Sequence, residues 1–557
     1  MSVSSPFTPA WSSFDAKALS LLENPLVTSE TLTAHAKALL KERRLKDRAH
    51  TSREVLDLLA AQEAQRPQSA ARSHNLERLA QGALVVATGQ QVGLFLGPLY
   101  ALHKAATAIA WARELERRLE HPVVPLFWLQ TEDADFDEVK TTWLPGPDGL
   151  QSLTLEPGPT IDHRPLDASA RVSLGQRLIG PSIDEILTAA RNALSGAFGE
   201  TTLAMIERCC RPDRTLGEAA GELMAELFAD AGLLVFDPRP ARGPSPSSTT
   251  PFQETLAFAL NSHDPIEAAL SDRAAALEQA GFEVQVKVRE RTSLVCHHPD
   301  GACGDRYRLV RRPNARWALS GHPAELDHQG VLADPTRLST TALLRPLLQD
   351  RLFPTVAYVG GPGEIAYFAQ LPPIYRLAGQ PMPLVLPRAR LVLTTPASRR
   401  MTEQLGLPHD AWRLDAEHLR RRVLESRPDV SRAEHTIDAW RAHTHESLAA
   451  LSAAAESLGD PSFARHADKT KDQLEQTMAR ALERLKRLAL DRDTETRHRL
   501  ERLIALLRPH NGPQERALPF IPFAAQVGPH ALASRILAEV TTLVERLTLT
   551  DTHEVAL

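Results

Sequence analysis

Ala83-Leu-Val-Val-Ala-Thr88, followed at once by Gly89-Gln-Gln-Val-Gly93, is the stretch on which the fold turns. The first part is an apolar run of strand length, and the second is a glycine loop. Gly97-Pro98 then opens an amphipathic segment running from Ala101 to Arg118. A second apolar run, Pro122-Val-Val-Pro-Leu-Phe-Trp-Leu129, empties into Gln130-Thr-Glu-Asp-Ala-Asp-Phe-Asp-Glu138. Strand, helix and strand in this order predict a βαβ unit, whose two strand-ending loops share the carboxyl edge of one parallel sheet. Open α/β sheets take their ligands at that edge. A loop of backbone amides and a loop of carboxylates facing one crevice point to an enzyme rather than a scaffold.

The pattern recurs further along. Pro354-Thr-Val-Ala-Tyr-Val359 predicts a strand, Gly360-Gly-Pro-Gly363 a tight loop, Glu364 to Leu377 a helix, and Pro383-Leu-Val-Leu386 a strand ending at Arg388. Between the units lie a helix over about 216–228 and a buried strand at Leu233-Leu-Val-Phe236. The remaining segments there are a loop-rich insertion with short strands over Leu144 to Pro181, a Pro/Ser/Thr linker from Arg239 to Pro251, and a β-hairpin region from Gly281 to Ala318. One helix is expected over about 30–64. After Thr395 the chain becomes rich in Arg, Glu, Ala and Leu, predicting two long helices over about 412–458 and 464–508 around a Gly459-Asp-Pro461 break. Leu474, Met478, Leu482, Leu485 and Leu488 are spaced by threes and fours, as in an antiparallel coiled-coil arm. The apolar Leu518 to Phe523 and a final helix are expected to return to the core.

These elements predict an α/β fold, a Rossmann-type parallel-sheet core with inserted segments and a long antiparallel helical arm. The expected division is a catalytic core over 1–395 with insertions at about 144–200 and 239–340, an arm over 396–510, and a returning segment over 511–557. The 557 residues exceed one ordinary core, and 43% hydrophobic with 24% charged residues suits a soluble globular protein. A net charge of −5 argues against nucleic acid or anionic membrane as a partner. The N-terminus (Met1-Ser-Val-Ser-Ser-Pro-Phe-Thr-Pro) lacks a signal-peptide pattern, and four cysteines fit a reducing cytoplasm better than a disulfide framework.

The chemistry concentrates in three loops. In the first, Thr88, Gly89, Gln90, Gln91 and Gly93 precede a helix whose first turns carry Tyr100, His103 and Lys104. Such a loop can wrap an anion at a helix N-terminus. It is neither a Walker A nor a dinucleotide fingerprint, and a purely structural turn is the alternative. His103, at the edge of a stripe formed by Leu99, Leu102, Ala106 and Ile109, is either a catalyst or a satisfied core histidine. Lys104 is either an anion ligand or a solvated charge. In the second loop Gln130 and Glu132 open an acidic run that includes Asp133, Asp135, Asp137 and Glu138. Carboxylates this close repel unless a cation, an amine or a proton offsets them. Helix capping is the alternative. In the third, Gly361, Glu364, Tyr367 and Gln370 lie along one helix start, and Arg388 is placed to bind a carboxylate. Cys296-His-His-Pro-Asp-Gly-Ala-Cys303 has no standard zinc spacing, so no dedicated metal site is expected. Magnesium accompanying a nucleotide is a different matter.

These motifs resemble the bacillithiol biosynthesis cysteine-adding enzymes, a family of cysteine ligases. The resemblance rests on Thr88 to Lys104, Phe127 to Glu138, Leu344-Arg-Pro346, Gln349-Asp350, Phe353 to Gln370, Pro381-Met-Pro383 through Arg388, and Gln514-Glu-Arg516. It spans most of the chain. The family usually carries His where this chain has Ala134.

The resemblance implies a core like that of class I nucleotidyltransferases and a coiled-coil arm that pairs two subunits as a homodimer. It also implies a reaction joining the carboxyl group of L-cysteine to the amine of glucosaminyl malate. Amide formation from a free carboxylate needs activation, most simply by ATP. The site must then hold phosphates (Gly89, Gln90, Gly93, Lys104), a malyl dicarboxylate (Arg388, with Arg345) and an amine (Asp135, Asp137). A carboxylate must also take a proton from the amine. Asp135, Asp137, Glu364 and His103 are the catalytic candidates. A nucleotide-independent cysteinyl transferase and a non-enzymatic metabolite sensor are the competing readings.

Overall fold

In a computed structural model of the chain, the two apolar runs of the first unit are β1 (Leu84–Gln90) and β2 (Val123–Leu129), paired in parallel. Residues 29–45, 50–146, 149–167, 169–313, 316–459, 462–549 and 551–557 are described. The N-terminal stretch and Asp460-Pro461 of the sequence reading lie outside them. Strands β3 (Leu234–Phe236), β4 (Thr355–Gly360) and β5 (Leu384–Pro387) complete a five-stranded sheet. Its order is β5-β4-β1-β2-β3, with every pairing parallel. All residues of β2 to β5 are buried, as a parallel sheet covered on both faces requires.

From β1 the chain moves outward through β2 and β3 on one side, then returns to lay β4 and β5 on the other. The order therefore reverses between β1 and β4, and loops leaving those two strands diverge to open a crevice. Helix α1 (Tyr100–Leu119) follows β1 and packs against both β1 and β2, with α5 (Pro529–Arg546) on its other side. Its alanines at 105, 106, 108, 110 and 112 are all buried and let both neighbours approach closely. The turn between β1 and α1 is tight: Phe95 (φ 53°), Leu96 (φ 69°) and Gly97 (φ 66°) are left-handed. A Cβ on Gly93 would lie 3.0 Å from Gly97 Cα. Two buried non-glycine residues in that region store strain that the surrounding packing must hold.

The first insertion opens with the short strands expected of it, and the second is more structured than the sequence suggested. Thr141–Gly146 and Gly149–Thr154 form a hairpin. The expected 281–318 hairpin is part of a five-stranded antiparallel sheet extending to Leu338–Thr340. Val284, Val286 and Val288 alternate but lie outside its strands, because Val286 pairs instead with a side chain, Gln370. The supposed linker contains Arg239, only 6% exposed, whose guanidinium donates to the Ala302 carbonyl at 2.8 Å. The expected 30–64 helix is two, Ser29–Leu45 and Arg53–Glu63, the second capped by Ser52.

The arm consists of α3 (Pro428–Ser457) and α4 (Phe463–Arg492). Glu434 pairs with Lys486 and His445 with Glu475, a register that runs the helices antiparallel. Each expected long helix is interrupted at the arm's base. Pro428 starts a new helix after Ala416–Glu425, and Asp493 caps Thr494–Leu507. Those flanking helices contribute Leu419, Val423, Leu500 and Leu503 to a small separate core. Among the described residues no helix is long and apolar enough to cross a membrane.

Candidate active site

A cavity of about 600 Å³ opens at the crevice where the strand order reverses. Gln90, Gln91, Tyr100 and Lys104 reach it from the first loop and α1, Gln130 and Glu132 from the second, Gly361, Glu364 and Tyr367 from the third, and Arg388 from beyond β5. The three turns singled out in the sequence thus meet around one space.

Lys104 is the tie between them. It is 3% exposed, and Nζ donates to the Gly89 carbonyl and to Gln90 Oε1, both at 2.8 Å, while also pairing with Glu364. Glu364 sits in the first turn of α2 (Pro362–Phe368), where it accepts from the Gly361 amide at 2.8 Å and the Tyr358 hydroxyl at 2.6 Å. Burial pushes the Lys104 ammonium down, and Glu364 beside it opposes that shift. Burial also favours the neutral acid at Glu364, but Lys104 and the Gly361 amide outweigh it and hold the carboxyl below the usual range. The pair is a fixed charge couple straddling the two central strands, so Glu364 is already neutralised and is not a free proton acceptor.

Two further cations border the cavity. Arg345 donates to the Tyr367 hydroxyl, which burial pushes up to about 12, and leaves Nη1 buried without a partner. Trp128 Nε1 is likewise a buried donor without a partner. Unpaired buried donors facing a cavity call for a ligand. Arg388 differs from its expected role. Its two terminal nitrogens grip Glu515 at 2.7 and 2.5 Å, and its guanidinium lies 5.6 Å above the Tyr100 ring. Burial alone would raise the Glu515 carboxyl, yet Arg388 and His103 hold it well below the usual range. The resemblance marked Gln514-Glu-Arg516, but only the fold shows that Glu515 takes the carboxylate position expected for a ligand.

His103 is fully buried behind the cavity, with Nδ1 3.0 Å from Glu515 and Nε2 without a partner. It does not line the cavity, and burial lowers its pKa. The satisfied-core alternative is closer, with His103 positioning Glu515. Asp135 and Asp137 are also displaced from the expected catalytic place. Asp135 Oδ1 accepts from the Glu138 amide at 3.2 Å, and Asp137 pairs with Lys140 at 2.7 Å. Both line a neighbouring recess, as does Ala134. The acids of the second loop that do face the cavity are Glu132, Asp133 and Glu138. The last two accept from the Gln91 side-chain Nε2 at 2.7 and 2.6 Å. Glu132 is buried and accepts from the Thr340 hydroxyl at 2.6 Å, and burial raises its pKa. A cavity-facing carboxylate raised in this way is suited to take a proton.

Three binding candidates serve packing instead. Thr88 is fully buried and donates to the Val359 carbonyl at 2.8 Å, tying β1 to β4. Gly93 is absorbed in its contact with Gly97. Gln370 brackets the Val286 backbone at 3.0 and 2.9 Å and does not border the cavity. Gly89 contributes its carbonyl rather than an open amide cradle, and a Cβ there would lie 2.7 Å from the Trp128 carbonyl oxygen. Conversely, Cys296, Arg306, Arg308 and Thr340 line the cavity from the antiparallel sheet and were not foreseen. No local pattern marks them, since their strands are more than 150 residues from the second loop. The His298 imidazole is already occupied by Ser339 Oγ at 2.9 Å and the Gly304 carbonyl at 3.1 Å, which leaves it no lone pair aimed at a metal.

Comparison with known proteins places this architecture. Residues 28–389 match the family described as bacillithiol biosynthesis BshC, N-terminal Rossmann-like domain, and residues 391–546 match its C-terminal coiled-coil domain. A relative from Solibacter usitatus is 33% identical over 482 residues, 85% of this chain and 84% of its own. One from Koribacter versatilis is 30% identical over 514 residues, 90% and 89% of the two chains. One from Chlorobium phaeobacteroides is 27% identical over 524 residues, 89% and 90%. Each carries the name "Putative cysteine ligase BshC". Parallel sheet, helical arm and similarity over most of both chains agree, and the chain belongs to the bacillithiol biosynthesis BshC family, a family of ligases by the names its curated members carry.

Proposed function

We propose that this ligase joins the carboxyl group of L-cysteine to the amine of glucosaminyl malate, with ATP activating the cysteine carboxylate, as the last step of bacillithiol formation. The supporting observation is the set of buried cationic donors converging on the crevice: Lys104 braced by Glu364, and Arg345 with an unpartnered Nη1. Such a preorganised cationic site stabilises phosphate charge and the oxyanion that develops as the amine attacks. Glu132 takes the proton the amine loses. Asp133 and Glu138, on the same wall, offer the hard oxygen ligands suited to magnesium arriving with a nucleotide.

Incubation of purified protein with cysteine, glucosaminyl malate, magnesium and ATP, followed by mass spectrometry, tests this. Conjugate with AMP and pyrophosphate means adenylation, and conjugate with ADP and phosphate means phosphorylation. Conjugate formed equally without nucleotide would support transfer from another activated donor. No conjugate under any condition would refute the ligase reading.

We also propose that the arm pairs two subunits in a reducing cytoplasm. Leu474, Leu485 and Leu488 are 36%, 37% and 47% exposed along α4, and the four cysteines are free. Excising residues 428–492, which spares the small core at the arm's base, should leave a folded monomer by light scattering.

A further inference from the structure

Cys296, Arg306 and Arg308 line not only the central cavity but also a second recess of about 780 Å³ beside it. Arg171, Arg177 and Arg289 continue its basic lining, while its acids are Asp135, Asp137 and Glu156. One of those acids, Asp137, is already paired with Lys140.

Arg177 is the informative member. It is 3% exposed, with its guanidinium carbon 4.6 Å from the Phe136 ring centre. Nη2 donates to the Ala170 carbonyl at 3.1 Å and Nε has no partner; Asp305 and Asp137 act on it electrostatically, but among the described residues neither closes an ion pair, and burial outweighs them. Arg306, half-buried on the shared wall, bonds Ser339 Oγ at 3.2 Å and the Thr340 carbonyl at 2.6 Å, and Glu132 and Asp133 help hold its charge. Buried cations are normally paired, because taking an unpaired charge out of water costs more than neutral hydrogen bonds return. A guanidinium placed as that of Arg177 is, beside a recess lined by four further arginines, implies an anion that completes it.

The recess also indicates which anion. None of its lining residues lies in a helix, so it has no helix N-terminus for phosphate. It offers planar guanidinium forks, which match carboxylates two bonds at a time. The lysine and the glycine turn, which suit phosphate, belong to the central cavity.

We infer that this recess seats the carboxylate groups of the amine-bearing substrate, a small organic dicarboxylate held by Arg177 and Arg289. The amine then crosses the wall formed by Cys296, Arg306 and Arg308 into the central cavity. This rests on the ligase reading above, and it moves the dicarboxylate from Arg388, which Glu515 already occupies, to Arg177 and Arg289, which form no ion pair among the described residues.

The test titrates the full-length protein with L-malate by calorimetry and repeats the titration with inorganic phosphate or ATP present. Malate should bind, neither competitor should displace it, and Arg177→Gln and Arg289→Ala should each weaken it about tenfold or more. In turnover, KM for the aminosugar substrate should rise in both variants, with KM for cysteine and ATP unchanged. Arg289 is exposed, so Arg289→Ala decides the matter even if Arg177→Gln does not fold. Unchanged malate affinity in Arg289→Ala overturns the inference, as does displacement by phosphate or ATP, which would assign the recess to the nucleotide. A chain that binds malate in this way yet forms no conjugate would refute the ligase reading and leave the recess assignment standing.

Discussion

Around the crevice, Lys104–Glu364 and Arg388–Glu515 are ion pairs whose four side chains are at most 14% exposed. In the arm, His445–Glu475 and Arg441–Asp438 join the same kinds of residue at 37% to 65% exposure. The chemistry is alike and the consequences differ. On the arm, water screens each charge and neither partner depends on the other. In the crevice, each charge was stripped of water on folding, and losing one partner strands the other. The crevice therefore concentrates energetic interdependence in a few residues, while the arm spreads weak contributions along two helices.

The sharpest way to break this contrast is Glu515→Gln. It leaves the buried Arg388 without its counter-ion and should cost about 3–5 kcal/mol in denaturant unfolding. A loss as small as that of an arm variant would mean that the crevice charges are solvated after all. Next, Lys104→Met should lower kcat/KM for conjugate formation by about a hundredfold or more, because it removes a preorganised cation from the reacting centre. Steady-state kinetics on protein shown to be folded by circular dichroism would check it. A change within about threefold would place the chemistry elsewhere.

A third prediction uses pH. Asp237, at the carboxyl end of β3, is buried, and burial raises its pKa from 3.8 to about 6. A carboxyl raised by folding stabilises while protonated, so its contribution is complete below the unfolded value and is lost as pH climbs through the folded one. The stability difference between the wild type and Asp237→Asn should therefore fall by up to about 3 kcal/mol between roughly pH 4 and 6 and stay flat above. Glu515 has the opposite sign. Its pKa is depressed, so its stabilisation is present above the ordinary carboxylate range and lost only on strong acidification. A pH-independent Asp237→Asn difference would show that burial does not govern that group. The smallest effect is expected in the arm, where Glu475→Ala should leave the denaturant midpoint unchanged, because water screens that pair.

The alternation of apolar runs with glycine and acidic loops was enough to foresee a parallel sheet and three loops at one edge. Local signals carried that much because strand burial and loop chemistry are written in consecutive residues. Within the loops, identity was legible and orientation was not. Lys104 and Glu364 were both named, but their pairing across β1 and β4 depends on strand order. Asp135 and Asp137 belong to the same crowded run as Glu132, Asp133 and Glu138, yet the turn directs the latter three into the cavity and the first two into the recess. His103 looked exposed to chemistry because the helix face that buries it is completed by Glu515, 412 residues away.

By itself the order of residues determined the βαβ logic, the antiparallel arm and the family, since periodicity and contiguous motifs need no partner to be read. Only the tertiary structure decided that Arg388 already has its carboxylate, that Thr88, Gly93 and Gln370 hold the frame, and that Arg177 is buried with no ion pair among the described residues. Whether a buried charge is satisfied depends on what distant segments bring to it, and that is a property of packing rather than of sequence.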